Sequence, residues 1–236
     1  RENVPAEATF VRGDVGDFEA VSALLQSHQV EAVMHFAGSI IVPESVENPL
    51  KYYDNNTART RTLLAACVAA GVDKFVFSST AAVYGMPDPD QTPVTEDTPT
   101  APINPYGSSK LMTEWMLKDL AAAHDFRYVA LRYFNVAGAD PKGRTGQSTP
   151  EATHLIKVAC QAALGVRERL DIYGTDYPTP DGTCVRDYIH VTDLARVHLL
   201  ALDALKAGEK SRVLNCGYGR GFSVREVIDS VRRVSG

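Results

Sequence analysis

Short apolar segments rich in β-branched residues alternate along the chain with longer amphipathic segments. The short segments predict strands and the longer ones predict helices, because side chains repeat every two residues along a strand and every 3.6 residues around a helix. Strands are expected at Thr9–Arg12, Ala32–Phe36, Lys74–Ser78, Tyr128–Tyr133 and Arg212–Cys216. Helices are expected at Phe18–His28, Val46–Ala70, Tyr106–His124, His154–Leu164, Asp193–Ala207 and Ser223–Val234.

Strands that alternate with helices at this spacing are typical of parallel βαβ units, and so of an α/β fold with a doubly wound, Rossmann-like parallel sheet. After Asn135 the pattern changes, and glycine- and proline-rich loops surround scattered helices. We therefore expect a dinucleotide-binding domain at residues 1–135. Residues 136–236 are expected to form a smaller, mixed substrate-binding region, interleaved with the last strands of the sheet.

The two ends of the chain are unusual for a complete fold of this class. The chain begins at Arg1 and ends inside a helical pattern. We expect a fragment truncated at both ends that lacks the first strand and the glycine-rich loop of the fold. Because that loop normally places a pyrophosphate at a helix N-terminus, the fragment is expected to bind a dinucleotide poorly and to turn over little substrate.

Composition narrows the classes of partner. The 236 residues carry a formal net charge of −5, so no basic surface is expected to attract nucleic acid or an anionic membrane. No apolar run approaches the roughly 18 residues that a membrane helix needs. Four cysteines lie far apart and match no metal-ligand spacing, which predicts no metal site and a reduced, cytoplasmic protein.

The sharpest chemical signal is Tyr106-Gly-Ser-Ser-Lys110, at the start of a predicted helix. A separation of four residues places both side chains on one helical face. A free tyrosine has a pKa of about 10 and is a weak base at neutral pH, but a nearby ammonium group stabilises its phenolate. The pair therefore predicts an acid/base that exchanges a proton with a substrate hydroxyl.

Small and polar residues follow several predicted strands, at the edge where sheets of this class bind ligands. One apolar strand runs directly into Thr80, whose hydroxyl is placed to bind the same substrate oxygen that Tyr106 titrates. Gly13–Val15 and Phe36–Gly38 follow two other strands, where small residues let a cofactor approach the backbone. Asp14 offers a carboxylate to an adenine amino group, or else assists the start of the next helix.

These features, in this order, resemble the extended short-chain dehydrogenases/reductases. The resemblance covers essentially the whole chain, and within the family it is most specific to the UDP-glucose (UDP-galactose) 4-epimerases. The stretches that carry it are Met34–Gly38, Pro49–Asn56, Leu131–Asn135, Asp176–Thr179 and Asp181–Val191.

The resemblance implies interconversion of UDP-glucose and UDP-galactose with NAD as cofactor. In such enzymes NAD takes a hydride from C4 of the sugar while the tyrosine takes the proton from O4. The 4-keto sugar then rotates and receives the hydride on its other face. The implied catalytic residues are Thr80, Tyr106 and Lys110, of which Thr80 and Tyr106 also contact the sugar and Tyr106 and Lys110 the cofactor. Further NAD-binding residues implied by the resemblance are Asp14, Val15, Phe36, Ala37, Gly38, Asn55 and Phe134.

The resemblance also implies a UDP-binding set and an assembly. The implied UDP-binding residues are Asn135, His154, the Ile172-Tyr173 strand and Arg186. A guanidinium group suits a pyrophosphate, although a surface ion pair between Arg186 and Asp187 is the alternative. A polar residue at a helix start is the alternative for His154. A homodimer is expected, with Val46–Ala70 and Tyr106–His124 as its interface helices.

Other activities stay open. A UDP-pentose or another UDP-sugar 4-epimerase would differ only in its sugar contacts, and a non-catalytic module that binds a dinucleotide or a sugar nucleotide would share the fold. A 4,6-dehydratase is disfavoured, because Ala81 and Ala82 stand where those enzymes place an Asp-Glu pair. Ile40 replaces a lysine that many relatives carry near the nicotinamide ribose. The glycines of Gly217–Gly221 predict a strand-to-helix turn and not a dinucleotide loop, because a capping box follows them.

Overall fold

The computed structural model describes residues 4–148 and 153–236. The strands are β1 (Val33–His35), β2 (Lys74–Ser78), β3 (Arg127–Tyr133), β4 (Asn135–Ala137), β5 (Val185–His190), β6 (Arg212–Cys216) and β7 (Gly221–Ser223). The α-helices are α1 (Phe18–Ser27), α2 (Val42–Glu47), α3 (Pro49–Tyr52), α4 (Arg59–Ala70), α5 (Pro105–Ala123), α6 (Leu155–Ala163), α7 (Val191–Lys206) and α8 (Val224–Ser235). A π-helical turn occupies Tyr53–Ala58, and short 3₁₀ turns occupy Ala81–Tyr84 and Pro89–Gln91.

The chain forms two compact units. The large unit comprises Arg1–Tyr133 and Ala195–Cys216, and the small unit comprises Phe134–Leu194 and Gly217–Gly236.

A four-stranded parallel sheet in the order β1-β2-β3-β6 forms the centre of the large unit. Strand β2 is buried on both faces, as its continuous apolar run Phe75–Phe77 requires. Leu63 and Leu64 of α4 and Leu117 of α5 belong to the same buried core as Phe75 and Phe77. The parallel sheet with its helices confirms the predicted α/β class, and it places the carboxyl ends of all four strands at one edge.

The small unit has its own mixed sheet, in which β4 pairs parallel with β5 and β5 pairs antiparallel with β7. Helices α6 and α8 pack together in the same unit. Strands β4, β5 and β7 were not predicted, because β4 and β7 have only three residues each and β5 includes the charged residues Arg186 and Asp187.

The predicted strand Thr9–Arg12 is wrong. These four residues are exposed and pair with no strand among the described residues. Aromatic and β-branched residues give a segment the propensity for an extended backbone, but a strand also needs a neighbour to accept its backbone hydrogen bonds.

The predicted single helix Val46–Ala70 is interrupted. Its first part belongs to α2, which ends at Glu47, and Asn48 then starts α3 by accepting a hydrogen bond from the Lys51 amide at 3.4 Å. Pro49 is the first residue of α3, where its missing amide proton breaks no helical bond. The π-helical turn follows before α4 begins.

Helix ends agree closely with the sequence patterns. Asp17 caps α1 by accepting from the Ala20 amide at 3.1 Å. Gly71 ends α4 in the left-handed conformation, with a φ of 74°. Ser223 and Glu226 form the expected capping box at the start of α8.

Candidate active site

The start of α5 lies against the end of β2. Asn104 begins the helix by accepting a hydrogen bond from the Gly107 amide at 2.9 Å. A Cβ atom at Gly107 would lie only 2.7 Å from the Ala82 carbonyl oxygen, so glycine allows the helix to approach the turn that follows β2. This close approach brings Tyr106 to Thr80.

The Thr80 hydroxyl lies close enough to the Tyr106 phenol to lower its pKa. The Thr80 Oγ also accepts from the Ala82 amide at 3.1 Å, which leaves its proton available for donation to the phenol. Burial raises the pKa of Tyr106, and the hydrogen bond to Thr80 opposes that rise because it stabilises the phenolate. The structure thus joins the two hydroxyls that the sequence placed on separate elements.

Lys110 is 3% exposed and extends into the interior. Its Nζ donates to the Ser78 carbonyl oxygen at 3.0 Å and lies 5.0 Å from the centre of the Phe77 ring. Burial lowers the pKa of Lys110 to about 8. A Cβ atom at Gly38 would lie 3.4 Å from this Nζ, so the predicted cofactor loop reaches the same place. The role of Lys110 as electrostatic partner of Tyr106 stays a prediction.

Two asparagines of the π-helical turn hold the loop after β1. Asn55 Nδ2 donates to Ser39 Oγ at 3.0 Å. Asn56, which is buried, accepts from the Ser39 amide at 2.7 Å and donates to the Ser39 carbonyl at 3.0 Å. Its Nδ2 also donates to Ser109 Oγ on α5 at 3.0 Å, so this residue links the cofactor loop to the helix that carries Tyr106.

The loop after β1 exposes apolar surface at the carboxyl edge of the sheet. Phe36 is 60% exposed, with its ring centre 4.8 Å from that of His198, and Ala37 is also exposed. Ile40 is 48% exposed. An aromatic ring and small residues left uncovered at this edge fit a planar cofactor ring in this kind of sheet.

Asp14 lies at an open cavity of about 470 Å³, which is large enough for part of a dinucleotide. One carboxylate oxygen accepts from the Gly16 amide at 2.8 Å, and the other pairs with Arg59. The Gly16 amide and then Arg59 lower the pKa of Asp14, so the carboxylate is ionised. The bond to Gly16 shows that Asp14 shapes the turn before α1, while Asp17 is the residue that caps the helix. Val15 packs against the core of the large unit.

The residues predicted to bind UDP lie in the small unit. Asn135 Nδ2 donates to the Asp187 carbonyl at 3.1 Å. Arg186 is exposed and donates to the Val185 carbonyl at 2.8 Å. The Asp187 carboxylate accepts from the backbone amides of Tyr218 and Gly219, at 3.1 and 2.8 Å. Asp187 is therefore engaged by a turn, and the alternative of an ion pair with Arg186 is wrong.

Three other predicted residues of the small unit have simpler surroundings. His154 lies at the N-cap position of α6 without a side-chain cap bond, and its Nδ1 is 2.8 Å from Gln147 Nε2. Ile172 and Tyr173 form no strand, and Tyr173 is 86% exposed, so the predicted strand there is wrong. Phe134 is half-buried and contacts Gly217.

The glycines after β6 form a turn around a carboxylate. A Cβ atom at Gly217 would lie 2.6 Å from Asp187 Oδ2 and 2.9 Å from the Phe134 ring, so a side chain is excluded there. Because the turn amides are bound to Asp187, they are not available to a phosphate. The sequence interpretation that this is not the dinucleotide loop agrees with this geometry.

The family follows from comparison of the whole chain with known proteins. A profile described as the NAD dependent epimerase/dehydratase family matches residues 1–217. The chain belongs to this family. A UDP-glucose 4-epimerase of Azospirillum brasilense is 65% identical over 236 residues, which are all of this chain and 67% of that protein.

Solved epimerase structures have the same fold. The UDP-glucose 4-epimerase of Brucella ovis in complex with NAD has a TM-score of 0.93 at 48% identity, over 96% of this chain and 69% of that one. The enzyme of Bifidobacterium longum in complex with NAD⁺ and UDP has a TM-score of 0.89 at 41% identity, over 96% and 68%. None of the helices in residues 4–148 and 153–236 is long and apolar enough to cross a membrane.

Sequence reasoning missed two groups of buried polar residues in this family member. Asn56 directly follows the predicted Asn55, and this position beside a predicted site residue was the signal that could have identified it. Glu114 lies four residues after Lys110 and eight after Tyr106, on the same face of α5. Its partner Arg132 lies inside a stretch that carries the family resemblance, but charged residues are usually exposed, and neither was expected in the interior.

Proposed function

We propose that this protein is an NAD-dependent UDP-sugar 4-epimerase that interconverts UDP-glucose and UDP-galactose. The observation that carries the proposal is the placement of Thr80 beside Tyr106, with the buried Lys110 one turn further along the same helix, in a chain of the epimerase/dehydratase family. Relatives with the name UDP-glucose 4-epimerase and up to 65% identity support the choice of substrate.

The residues around the loop after β1 fit the cofactor. When bound, NAD supplies a reversible acceptor for the hydride at C4 of the sugar. Phe36, Ala37 and Gly38 would line one side of it, with Asn55 holding their loop through Ser39. Asp14 would bind the adenosine end, where the cavity of about 470 Å³ opens. Lys110 and Tyr106 would contact the nicotinamide ribose, and Val15 and Phe134 complete the proposed cofactor set.

Tyr106 is the proposed acid/base. Its pKa is raised by burial, so the phenol needs help to accept the proton of the sugar hydroxyl O4. The Thr80 hydroxyl gives part of that help, because it donates to the phenol oxygen and orients O4 in the same place. A positively charged Lys110, together with the bound nicotinamide ring, would lower the pKa of Tyr106 further.

Binding energy is proposed to come from the nucleotide. A sugar that must rotate between two hydride transfers cannot be held tightly, so the strong contacts are expected between the protein and UDP. Arg186 is exposed and has no carboxylate partner at Asp187, which leaves its guanidinium group suitable for a pyrophosphate. The other proposed UDP-binding residues are Asn135, His154, Ile172 and Tyr173.

The proposal includes a cytoplasmic homodimer. Trp115 on α5 is 54% exposed, and Leu50 on α3 is 77% exposed. Large exposed apolar side chains on two helices that pack together in the large unit support a helical interface between two copies.

The test is a kinetic comparison on the protein as its gene encodes it. UDP-galactose added to the NAD-loaded protein should produce UDP-glucose, with a small rise in NADH absorbance. Tyr106→Phe should lower turnover by about a hundredfold or more with little change in UDP affinity, because it removes only the group that transfers the proton. Tyr128→Phe is the matched control, since it deletes a buried phenol hydroxyl from β3 away from the helix start.

Two results would contradict the proposal. Near-normal turnover in Tyr106→Phe would remove the tyrosine from the mechanism. Tight binding of NAD and UDP without turnover of either UDP-hexoses or UDP-pentoses would identify a binding module. Turnover of UDP-pentoses alone would correct the substrate and keep the mechanism.

A further inference from the structure

An ion pair lies inside the large unit, directly behind the candidate catalytic residues. Glu114 on α5 is 4% exposed and Arg132 on β3 is 6% exposed. One edge of the guanidinium group binds the carboxylate, with Arg132 Nη2 donating to Glu114 Oε2 at 2.6 Å and Nε donating to Oε1 at 3.0 Å. Such a forked pair fixes the direction of both side chains.

A third residue joins this pair to the end of β2. Ser79 is fully buried, and its hydroxyl donates to Glu114 Oε1 at 2.5 Å. Ser79 directly precedes Thr80 in the chain. The carboxylate therefore holds the residue next to Thr80, whose hydroxyl lies beside the Tyr106 phenol.

Helix α5 and the strand end meet at three residues of each. Tyr106 lies beside Thr80, Lys110 donates to the Ser78 carbonyl, and Glu114 accepts from the Ser79 hydroxyl. The helix residues are spaced by four and share one face, while the strand residues are consecutive. The two hydrogen bonds at Ser78 and Ser79 fix the backbone directly before Thr80 against α5.

The pair is also anchored on its far side. Arg132 Nη1 donates to the Tyr84 hydroxyl at 2.9 Å, and that hydroxyl donates to Asn215 Oδ1 on β6 at 2.7 Å. Tyr84 belongs to the 3₁₀ turn that begins directly after Thr80. The network thus holds both the residue before Thr80 and the turn after it.

Stability alone does not explain the ion pair. Two buried charges lose their hydration, and well-packed apolar residues of the same volume often serve a core as well or better. A fully satisfied buried network does, however, specify one arrangement of the elements it joins. Here the elements it joins are α5 and the segment on either side of Thr80.

We infer that Glu114, fixed by Arg132, is a positioning residue that holds Thr80 against Tyr106 through Ser79. The inference rests on the proposed function, since it assigns Thr80 and Tyr106 to proton transfer. It predicts that the Ser79 hydroxyl matters to the reaction although it touches neither the phenol nor the substrate oxygen.

The experiment removes the link and keeps the ion pair. Ser79→Ala deletes one hydroxyl and leaves Glu114 bound to Arg132, whereas Glu114→Ala would leave a buried guanidinium group without its partner and is expected to disturb folding. Ser45→Ala is the matched control, because Ser45 is also fully buried and donates a single hydrogen bond, to the Val42 carbonyl at 2.7 Å.

Ser79→Ala should lower kcat about tenfold or more, because small displacements of a reacting group have large kinetic effects. The KM for UDP-galactose should stay within about twofold, since substrate binding is not touched. The rising limb of the pH–rate profile should move to higher pH, because a displaced Thr80 no longer lowers the pKa of Tyr106. Ser45→Ala should show neither change at a similar loss of stability.

The inference is overturned if Ser79→Ala matches Ser45→Ala in kcat and in pH profile. It is also overturned if rate and stability fall together while the pH profile stays in place, since that result indicates a structural role alone. If the wild-type protein shows no epimerase activity, the proposed function fails, and titration of the Tyr106 phenol decides the positioning role. The titration follows, as a function of pH, the difference in ultraviolet absorbance between each protein and its Tyr106→Phe form. Ser79→Ala should raise the pH of its midpoint.

Discussion

Replacement of Lys110 by methionine should make the protein more stable at neutral pH. Lys110 is 3% exposed, and burial lowers the pKa of its ammonium group from 10.5 to about 8. A neutral methionine of similar length avoids the desolvation of that charge. The buried lysine therefore destabilises the folded protein in the pH range where it is charged.

The magnitude follows from the pKa values. A lowering from 10.5 to about 8 is about 2.5 pH units, or about 3 kcal/mol in the free energy of unfolding at 1.36 kcal/mol per unit. Methionine also removes the hydrogen bond to the Ser78 carbonyl, which takes back about 1 kcal/mol. Lys110→Met should thus raise the free energy of unfolding by about 2 kcal/mol near neutral pH.

The sign of the pH dependence distinguishes this cause from better packing. The unfolded chain binds more protons than the folded protein between a pH of about 8 and 10.5, so the wild-type protein gains stability as the pH rises through that window. Methionine has no such dependence, and the advantage of Lys110→Met should shrink as the pH rises.

Urea unfolding followed by far-ultraviolet circular dichroism, near neutral pH and near pH 10, measures both effects. Lys118→Met, at an exposed position of the same helix, is the control and should leave stability within about 0.5 kcal/mol. A Lys110→Met protein that is no more stable than Lys118→Met at neutral pH would refute the reasoning. An advantage that does not change with pH would also refute it.

Two further predictions concern substrate affinity and acid stability. Arg186→Ala should weaken UDP binding in calorimetric titration by about tenfold or more, because a guanidinium fork is lost from the pyrophosphate. Arg144→Ala is the control, since the Arg144 side chain pairs with Asp140. An unchanged Kd for UDP in Arg186→Ala would remove Arg186 from the site. Burial, with a smaller contribution from Lys110, lowers the pKa of His35 from 6.5 to about 4. The free energy of unfolding should therefore have its full value above a pH of about 6.5 and should fall by up to about 3 kcal/mol as the pH drops toward 4. Urea unfolding across that range should show the slope in the wild type and in the exposed-site control His28→Gln but a reduced slope in His35→Gln; equal slopes in all three would contradict the assignment.

Much of the large unit was predictable because its signals are local. Strands β2 and β6 have the predicted bounds, since each is a short apolar run between clear turn or helix signals. The four-residue spacing of Tyr106 and Lys110 was sufficient to place both on one buried face of α5. Because the strands are parallel, Thr80 at the carboxyl end of β2 could be expected at the edge of the sheet where ligands bind.

The failures have a different physical origin, because each depends on a partner distant in sequence. Residues 9–12 include Phe10 and Val11, which favour strands, yet no described strand pairs with them. Strand β5 exists because it pairs with β4 and β7, although its charged residues obscure its pattern. Glu114 and Arg132 are ordinary surface residues by type, and only the packing of α5 on β3 brings them together in the interior.

The cofactor and nucleotide predictions divide along the chain as the two units do. Nearly all residues assigned to NAD lie in the large unit, and those assigned to UDP lie in the small unit. Phe134 is the exception, at the first residue of the small unit. The assignments themselves stay predictions that the Tyr106 and Arg186 variants test.

The π-helical turn at Tyr53–Ala58 makes the length of this segment as important as its composition. In a regular α-helix, neighbouring side chains point about 100° apart, so adjacent residues rarely reach one target. Here Asn55 and Asn56 both bind Ser39, and a π turn includes one residue more than an α turn. Deletion of a single residue from this turn should restore a uniform helix and rotate one asparagine away, whereas substitutions at its exposed positions should be tolerated. Relatives that keep both contacts are therefore expected to vary here by exchange of residues and not by gaps.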